Sequence, residues 1–86
     1  MNMRWHSETV KISSTKHFAL KYLRRWGWTF NDLRDAIRDA YKIEHVGKNK
    51  FEIYLQKSGF KKIITAYYAE ENEIVCITGS EGGERK

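Results

Sequence analysis

The chain has 86 residues, enough for one small domain and too few for two. Its 41% hydrophobic and 14% aromatic content exclude a disordered chain, and its formal charge of +5 directs attention to polyanionic partners. Cys76 is the only cysteine, which excludes an internal disulfide and a cysteine-based zinc site.

The N-terminal stretch "MNMRWHSETVKISS" lacks the apolar centre of a signal peptide. No apolar run approaches the ~20 residues of a membrane span. These features, with the lone thiol, predict a soluble protein of the reduced cytoplasm. Residues 9–13, "TVKIS", alternate apolar and polar side chains as a short strand would.

Residues 13–27 predict a helix, with Ser13 or Ser14 as N-cap. Its apolar stripe is Ala19, Leu20, Leu23 and Trp26, widened by Phe18 and Tyr22. Lys21, Arg24 and Arg25 face outward, and Gly27 suits the left-handed residue that ends a helix. Residues 29–42 predict a second helix, in which Thr29 and Asp32 form a capping-box-like pair. Phe30, Leu33, Ile37, Ala40 and Tyr41 make its apolar face, and Arg34, Asp35, Arg38 and Asp39 leave its surface mixed in sign.

From residue 43 the period becomes two. Strands are predicted at 42–46, 50–56, 60–69 and 73–79, joined by the turns "GKN", "KSG" and "EEN". In the third of these, Ile64, Ala66 and Tyr68 are assigned to the core, and Lys61, Thr65 and Tyr67 to the other face. Short turns imply antiparallel neighbours. The expected architecture is α+β, with two N-terminal helices packed on one face of a three- to four-stranded antiparallel sheet. A single domain over residues 1–79 and a flexible tail over 80–86 follow from the polar, glycine-rich "SEGGERK".

Two stretches carry a family likeness. "YLRRWGWTFNDL" (22–33) and "KKIITAYYAEENEIVCITG" (61–79) together resemble the RelE-like toxin superfamily, in particular its BrnT-like branch and related small prokaryotic domains of unknown function. Leu23, Arg25, Gly27, Thr29, Phe30 and Asp32 fit the family's helix–glycine–helix junction in type. The second stretch is similar to its paired C-terminal strands around an acidic turn. The resemblance implies a toxin-like, RNA-binding fold, a metal-independent ribonuclease activity and an antitoxin protein as partner. Trp26 stands where the family has a histidine, and the last strand, "VCITGS", lacks the family's arginines. These departures motivate the alternative of a non-catalytic module that binds nucleic acid or protein, including a homodimer formed through an exposed sheet edge.

Metal-independent RNA cleavage needs a base for the 2′-hydroxyl, a cation for the phosphorane and an acid for the leaving oxygen. The acid–base candidates are His17, Tyr54 and Tyr67, with His45 as a further histidine. The phosphate-binding candidates are Lys21, Arg24, Arg25, Lys61 and Lys62. Residues 53–69 contain Lys57, Lys61 and Lys62 and no acid. This run is either a solvated strand edge or a phosphate-contacting patch with tyrosine stacking planes. His17 and His45 otherwise read as surface and sheet-face residues. Trp26 and Trp28 otherwise read as the cover of the helix junction. Cys76, between Val75 and Ile77, reads as a buried thiol. No phosphate loop or metal box is present in the sequence, and no cofactor is expected.

Overall fold

A computed structural model describes Trp5 and residues 9–57 and 59–81. Five strands form one mixed sheet: β1 (Lys11–Ser14), β2 (Lys42–His45), β3 (Lys50–Gln56), β4 (Phe60–Tyr68) and β5 (Glu73–Glu81). Their spatial order is β1-β5-β4-β3-β2. The β2–β5 meander is antiparallel, while β1 runs parallel to β5. The chain thus leaves one edge of the sheet, crosses it as two helices, enters again at the other edge and walks back.

This corrects the expected three- to four-stranded antiparallel sheet with helices first. The first strand precedes the helices and adds a parallel edge. Its register pairs Lys11 with Glu73 and Ser14 with Cys76, a partnership between the two ends of the chain that local periodicity does not carry.

The first helix spans residues 16–26. It opens as an α-turn (Lys16–Phe18), widens to a π-helical stretch (Ala19–Leu23) and closes as an α-turn (Arg24–Trp26). Thr15 is its N-cap, accepting from the Phe18 amide at 3.1 Å, rather than Ser13 or Ser14, which belong to β1. In the wide segment the Arg24 amide donates to the Ala19 carbonyl, which rotates the following side chains relative to an α-helical register. Phe18 and Leu23 are buried, while Leu20, expected in the stripe, is 56% exposed. Gly27 then takes φ 71° and ψ 32°, a conformation most side chains resist, and ends the helix.

The second helix is Phe30–Arg38. Its capping box is present: Thr29 accepts from Asp32 N at 3.1 Å, and Asp32 accepts from Thr29 N at 3.0 Å. Leu33, Ala36 and Ile37 are its buried residues, and Phe30 and Tyr41 are exposed. The helix stops at Arg38, and Lys42 already belongs to β2, so Ala40 and Tyr41 form the connection.

Helices and sheet enclose Val10, Phe18, Leu23, Leu33, Ile37, Phe51, Ile53, Leu55, Ile63, Ile74 and Cys76. On β4 the covered residues are Lys61, Ile63 and Thr65, with Tyr67 packed against the core. This corrects the sequence-based choice of face. Ile64 is only half-buried and Tyr68 is exposed, although Ala66 is buried.

The β4–β5 ladder pairs Ile64 with Thr78 and Thr65 with Cys76, leaving Ile77 as an extra residue. The bulge reverses which β5 side chains meet the helices. Ile74 and Cys76 are buried before it. Beyond it a Cβ on Gly79 would lie 3.4 Å from Trp26 and 3.5 Å from Phe18. β5 continues through Ser80 and Glu81, two residues of the expected tail; residues 82–86 of that tail lie outside the described residues.

Gly79 packs closely against the neighbouring β4 backbone. A Cβ there would sit 2.9 Å from the Lys62 carbonyl oxygen. Gly79→Ala is expected to destabilise the fold by about 1–3 kcal/mol, the usual cost of overpacking, measured by urea denaturation. An unchanged midpoint would mean that β5 lies farther from β4 and the first helix.

Candidate nucleic-acid interface

The end of the β3–β4 hairpin gathers aromatic and basic side chains on both faces of the sheet. On the helix-covered face, Trp26 and Trp28 flank Gly27 with ring centroids 5.0 Å apart. Lys61 reaches between them, its Nζ 5.3 Å from the Trp26 centroid and 5.6 Å from that of Trp28. Lys61 is 5% exposed, and Nζ also donates to the Lys57 carbonyl at 2.9 Å. A buried ammonium needs such partners; two indole faces and a carbonyl provide them. Lys57 Nζ lies 5.9 Å from the Trp28 centroid.

Glu81 completes this cluster. Its carboxylate accepts from Trp26 Nε1 and lies 3.5 Å from Arg25 Nε. It reaches both because the β5 bulge turns it toward the first helix.

The opposite face carries a second cluster. The register aligns Lys42, Tyr54 and Lys62 across three adjacent strands. Lys42 Nζ is 5.1 Å and Lys62 Nζ 6.0 Å from the Tyr54 ring centroid. Tyr41 and Phe60 join Tyr54, with centroids 6.3–6.4 Å apart. Tyr54 donates its hydroxyl to Glu52 at 2.6 Å. That bond, followed by burial and by the charges of Glu52 and Glu44, pushes the phenol up to about 12 from its ordinary 10.0. Such a phenol is a weak proton donor at neutral pH and serves better as a fixed ring.

The structure therefore brings Arg25, Lys61, Lys62 and Tyr54 to one end of the molecule. Arg24 shares the exposed last turn of the first helix, and Lys21 lies one turn earlier. Tyr67 and His17 are elsewhere. Tyr67 lies at the other end of β4, donating to Asn72 Oδ1 at 3.2 Å and packing against Trp5. His17 is exposed at the start of the first helix, with Nε2 3.4 Å from Thr78 Oγ1. His45 stacks on Phe51 at 4.6 Å, far from the hairpin end. The three acid–base candidates thus share no common site. Cys76 is buried, and burial pushes its thiol up to about 12.

Sequence reasoning missed Lys42, Tyr41, Phe60 and Glu81 as members of this end. One available signal is that residues 9–31 contain Lys11, Lys16, Lys21, Arg24 and Arg25 and no carboxylate. This acid-free segment meets the acid-free segment 53–69 where Lys61 enters the tryptophan pair.

Among the described residues no group of three or more His, Cys, Asp or Glu side chains is placed to hold a metal ion. No helix among them is long and apolar enough to cross a membrane. Comparison with family models, curated proteins and solved structures returned no match.

The Tyr54 shift has a pH signature. Its folded value exceeds the ordinary one, so its stabilising effect is complete below pH 10.0 and is lost as pH rises through about 12. Tyr54→Phe is expected to delete the tyrosinate absorbance step near pH 12. The stability difference between wild type and variant should shrink above pH 10.0. A wild-type titration complete well below pH 12 would show that the Glu52 contact does not form.

Proposed function

We propose that this protein is a non-catalytic module that binds single-stranded RNA across the end of its β3–β4 hairpin. The observation that carries this reading is the pair of aromatic–cation clusters on opposite faces of one hairpin, beside the acid-free first helix. Single-stranded nucleic acid is held by cations along its backbone and by rings on which bases stack. Lys21, Arg24, Arg25 and Lys62 supply the charge. Tyr54, with Tyr41 and Phe60, supplies the platform. Lys61 is engaged with the indoles and holds Trp26 and Trp28 in position.

Binding is preferred over cleavage on the placement of the acid–base candidates. A ribonuclease of the kind the RelE-like resemblance implies needs base, acid and cation around one phosphate. His17, Tyr54 and Tyr67 occupy different regions of the fold, and the Tyr54 proton is tied to Glu52. An antitoxin partner belongs to the toxin reading and has no separate support in the geometry.

Salt dependence tests the electrostatic part. If Lys21, Arg24, Arg25 and Lys62 each neutralise one phosphate, log K against log salt should have a slope of about −2.8 for single-stranded RNA. Arg24→Ala with Arg25→Ala should reduce it to about −1.4. Absence of binding in low salt would overturn the proposal.

Tyr54 separates stacking from chemistry. Tyr54→Ala should weaken binding by about 1–3 kcal/mol, the loss of one stacked base, while Tyr54→Phe should bind like wild type. The RNA recovered from each titration should be intact. Cleavage that Tyr54→Phe abolishes would instead make the phenol catalytic.

A further inference from the structure

β2 forms one margin of the sheet, and among the described residues no strand pairs with its outer side. Lys42, Glu44 and His45 are exposed, and Ile43 is half-buried. The main-chain groups of an antiparallel strand point alternately to its two sides. The Tyr67 amide donates to the Asn49 carbonyl at 2.8 Å, so the odd-numbered residues that follow on β3 face β4 and the even-numbered ones face β2. The Val46 amide donates to the Lys50 carbonyl at 2.9 Å, in the register that pairs Glu44 with Glu52 and Lys42 with Tyr54. Lys42 and Glu44 therefore direct their main-chain groups to β3, and Ile43 and His45 turn theirs outward. A row of outward N–H and C=O groups is a template for another strand.

The side chains of β2 select which strand fits. A copy of Lys42–His45 laid antiparallel, about a twofold axis normal to the sheet at Ile43, meets a complementary register. Ile43 lies opposite the partner's Ile43, Lys42 opposite the partner's Glu44, and Glu44 opposite the partner's Lys42. Directly opposed unlike charges favour a strand pair, and like charges disfavour it. Moving the axis to Glu44 would set the two Glu44 carboxylates against each other. The axis at Ile43 also falls on a residue whose N–H and C=O face outward, so two main-chain bonds form at the centre. Lys42 Nζ, 3.9 Å from Glu44 Oε1 in its own strand, exchanges that carboxylate for the partner's at little cost, because the pair is exposed. The other margin, β1, carries one charge in Lys-Ile-Ser-Ser and offers no such pattern.

We propose that a second copy of this chain docks on β2, the two edges pairing antiparallel about Ile43 so that two five-stranded sheets become one. This interface goes beyond the RNA-binding reading and does not rest on it. Each copy contributes the same edge, so the assembly closes at two. A strand of four residues buries little surface, so the dimer is a weak one whose population follows concentration.

The test is sedimentation velocity of the full chain from micromolar to millimolar concentration, with amide hydrogen exchange followed in parallel. The expected result is a shift from monomer to dimer as concentration rises. Exchange of the Ile43 amide should slow in step, while the Glu44 amide, turned to β3, is protected throughout. Lys42→Glu and Glu44→Lys each convert both cross-axis pairs to like charges, and each should weaken self-association about tenfold. Mixed in equal amounts, the two variants should form a heterodimer about as tight as the wild-type dimer, because each then meets the opposite charge. That recovery also shows that both variants are folded. A chain that stays monomeric at millimolar concentration overturns the proposal. So does a dimer that neither substitution weakens, which would use another surface. Protection of the Ile43 amide without a dimer would assign the edge to another segment of the same chain and overturn it equally.

Discussion

The structure depends on the parallel pairing of β1 with β5. It is the one ladder that joins the beginning of the described chain to its end. The Lys11 amide donates to Asn72, the Thr15 amide donates to Cys76, and Ser13 reaches Glu73 at 2.6 Å. Thr15 is used twice. Its hydroxyl donates to the Ile77 carbonyl at 3.1 Å and accepts from Phe18 N, so one side chain ends the strand ladder and starts the helix. The helix origin is thereby fixed to β5, and its far end falls beside the last residues of the same strand. Closing so long a loop costs only modestly more entropy than closing a short one, because the penalty grows logarithmically. The cost appears in kinetics: pairing between distant segments slows folding.

From that anchor the bulge at Ile77 determines what meets the first helix. A regular β5 would carry the facing set Ile74, Cys76, Thr78 and Ser80. With one residue added, Gly79 and Glu81 take those places. Gly79 has no side chain to collide with Trp26 and Phe18, so the helix approaches closely. Glu81 then lies near the two donors that close the tryptophan cluster, Trp26 Nε1 and Arg25. A single extra residue thus supplies both the close packing and the carboxylate at this end of the sheet.

Much of this was legible in the sequence where the signal is local. Thr29 and Asp32 announce their cap, Gly27 announces the end of a helix, and "KFEIYLQ" alternates without interruption into β3. The signals that failed are those in which a distant partner reverses a local preference. Leu20, placed in the apolar stripe by its residue type, is exposed, and the covered face is that of Phe18, Tyr22, Leu23 and Trp26. β4 was oriented by its most apolar alternate set, yet the covered set includes Lys61 and Thr65. Lys61 is compatible with burial because Trp26 and Trp28, more than thirty residues upstream, receive its amine. Thr65 is compatible because its hydroxyl donates to the Phe51 carbonyl at 3.3 Å. Neither partner can be read from residues 60–68. The same limit explains why acid–base candidates chosen by residue type are dispersed, and why Lys42 and Glu81 were overlooked.

The adjacent pair Lys61 and Lys62 shows how one short segment serves both stability and display. Strand alternation sends the two amines to opposite faces. Lys61 enters a site made of indole faces and a carbonyl, where its stem packs and its charge is compensated. Lys62 lies beside Tyr54 on the other face, in line with Lys42. The carboxylates at this end are engaged with particular groups: Glu52 with the Tyr54 hydroxyl, Glu44 with Lys42, Glu81 with Trp26 and Arg25, and Asp35 and Asp39, which line a pocket with Leu55, Gln56 and Lys57, with Arg38. The exposed ion pairs among these, Glu44 with Lys42 and Glu81 with Arg25, contribute little to stability. Their geometric consequence is larger, because each holds a ring or a cation in a defined position. The hairpin end accordingly carries oriented rings with cations beside them.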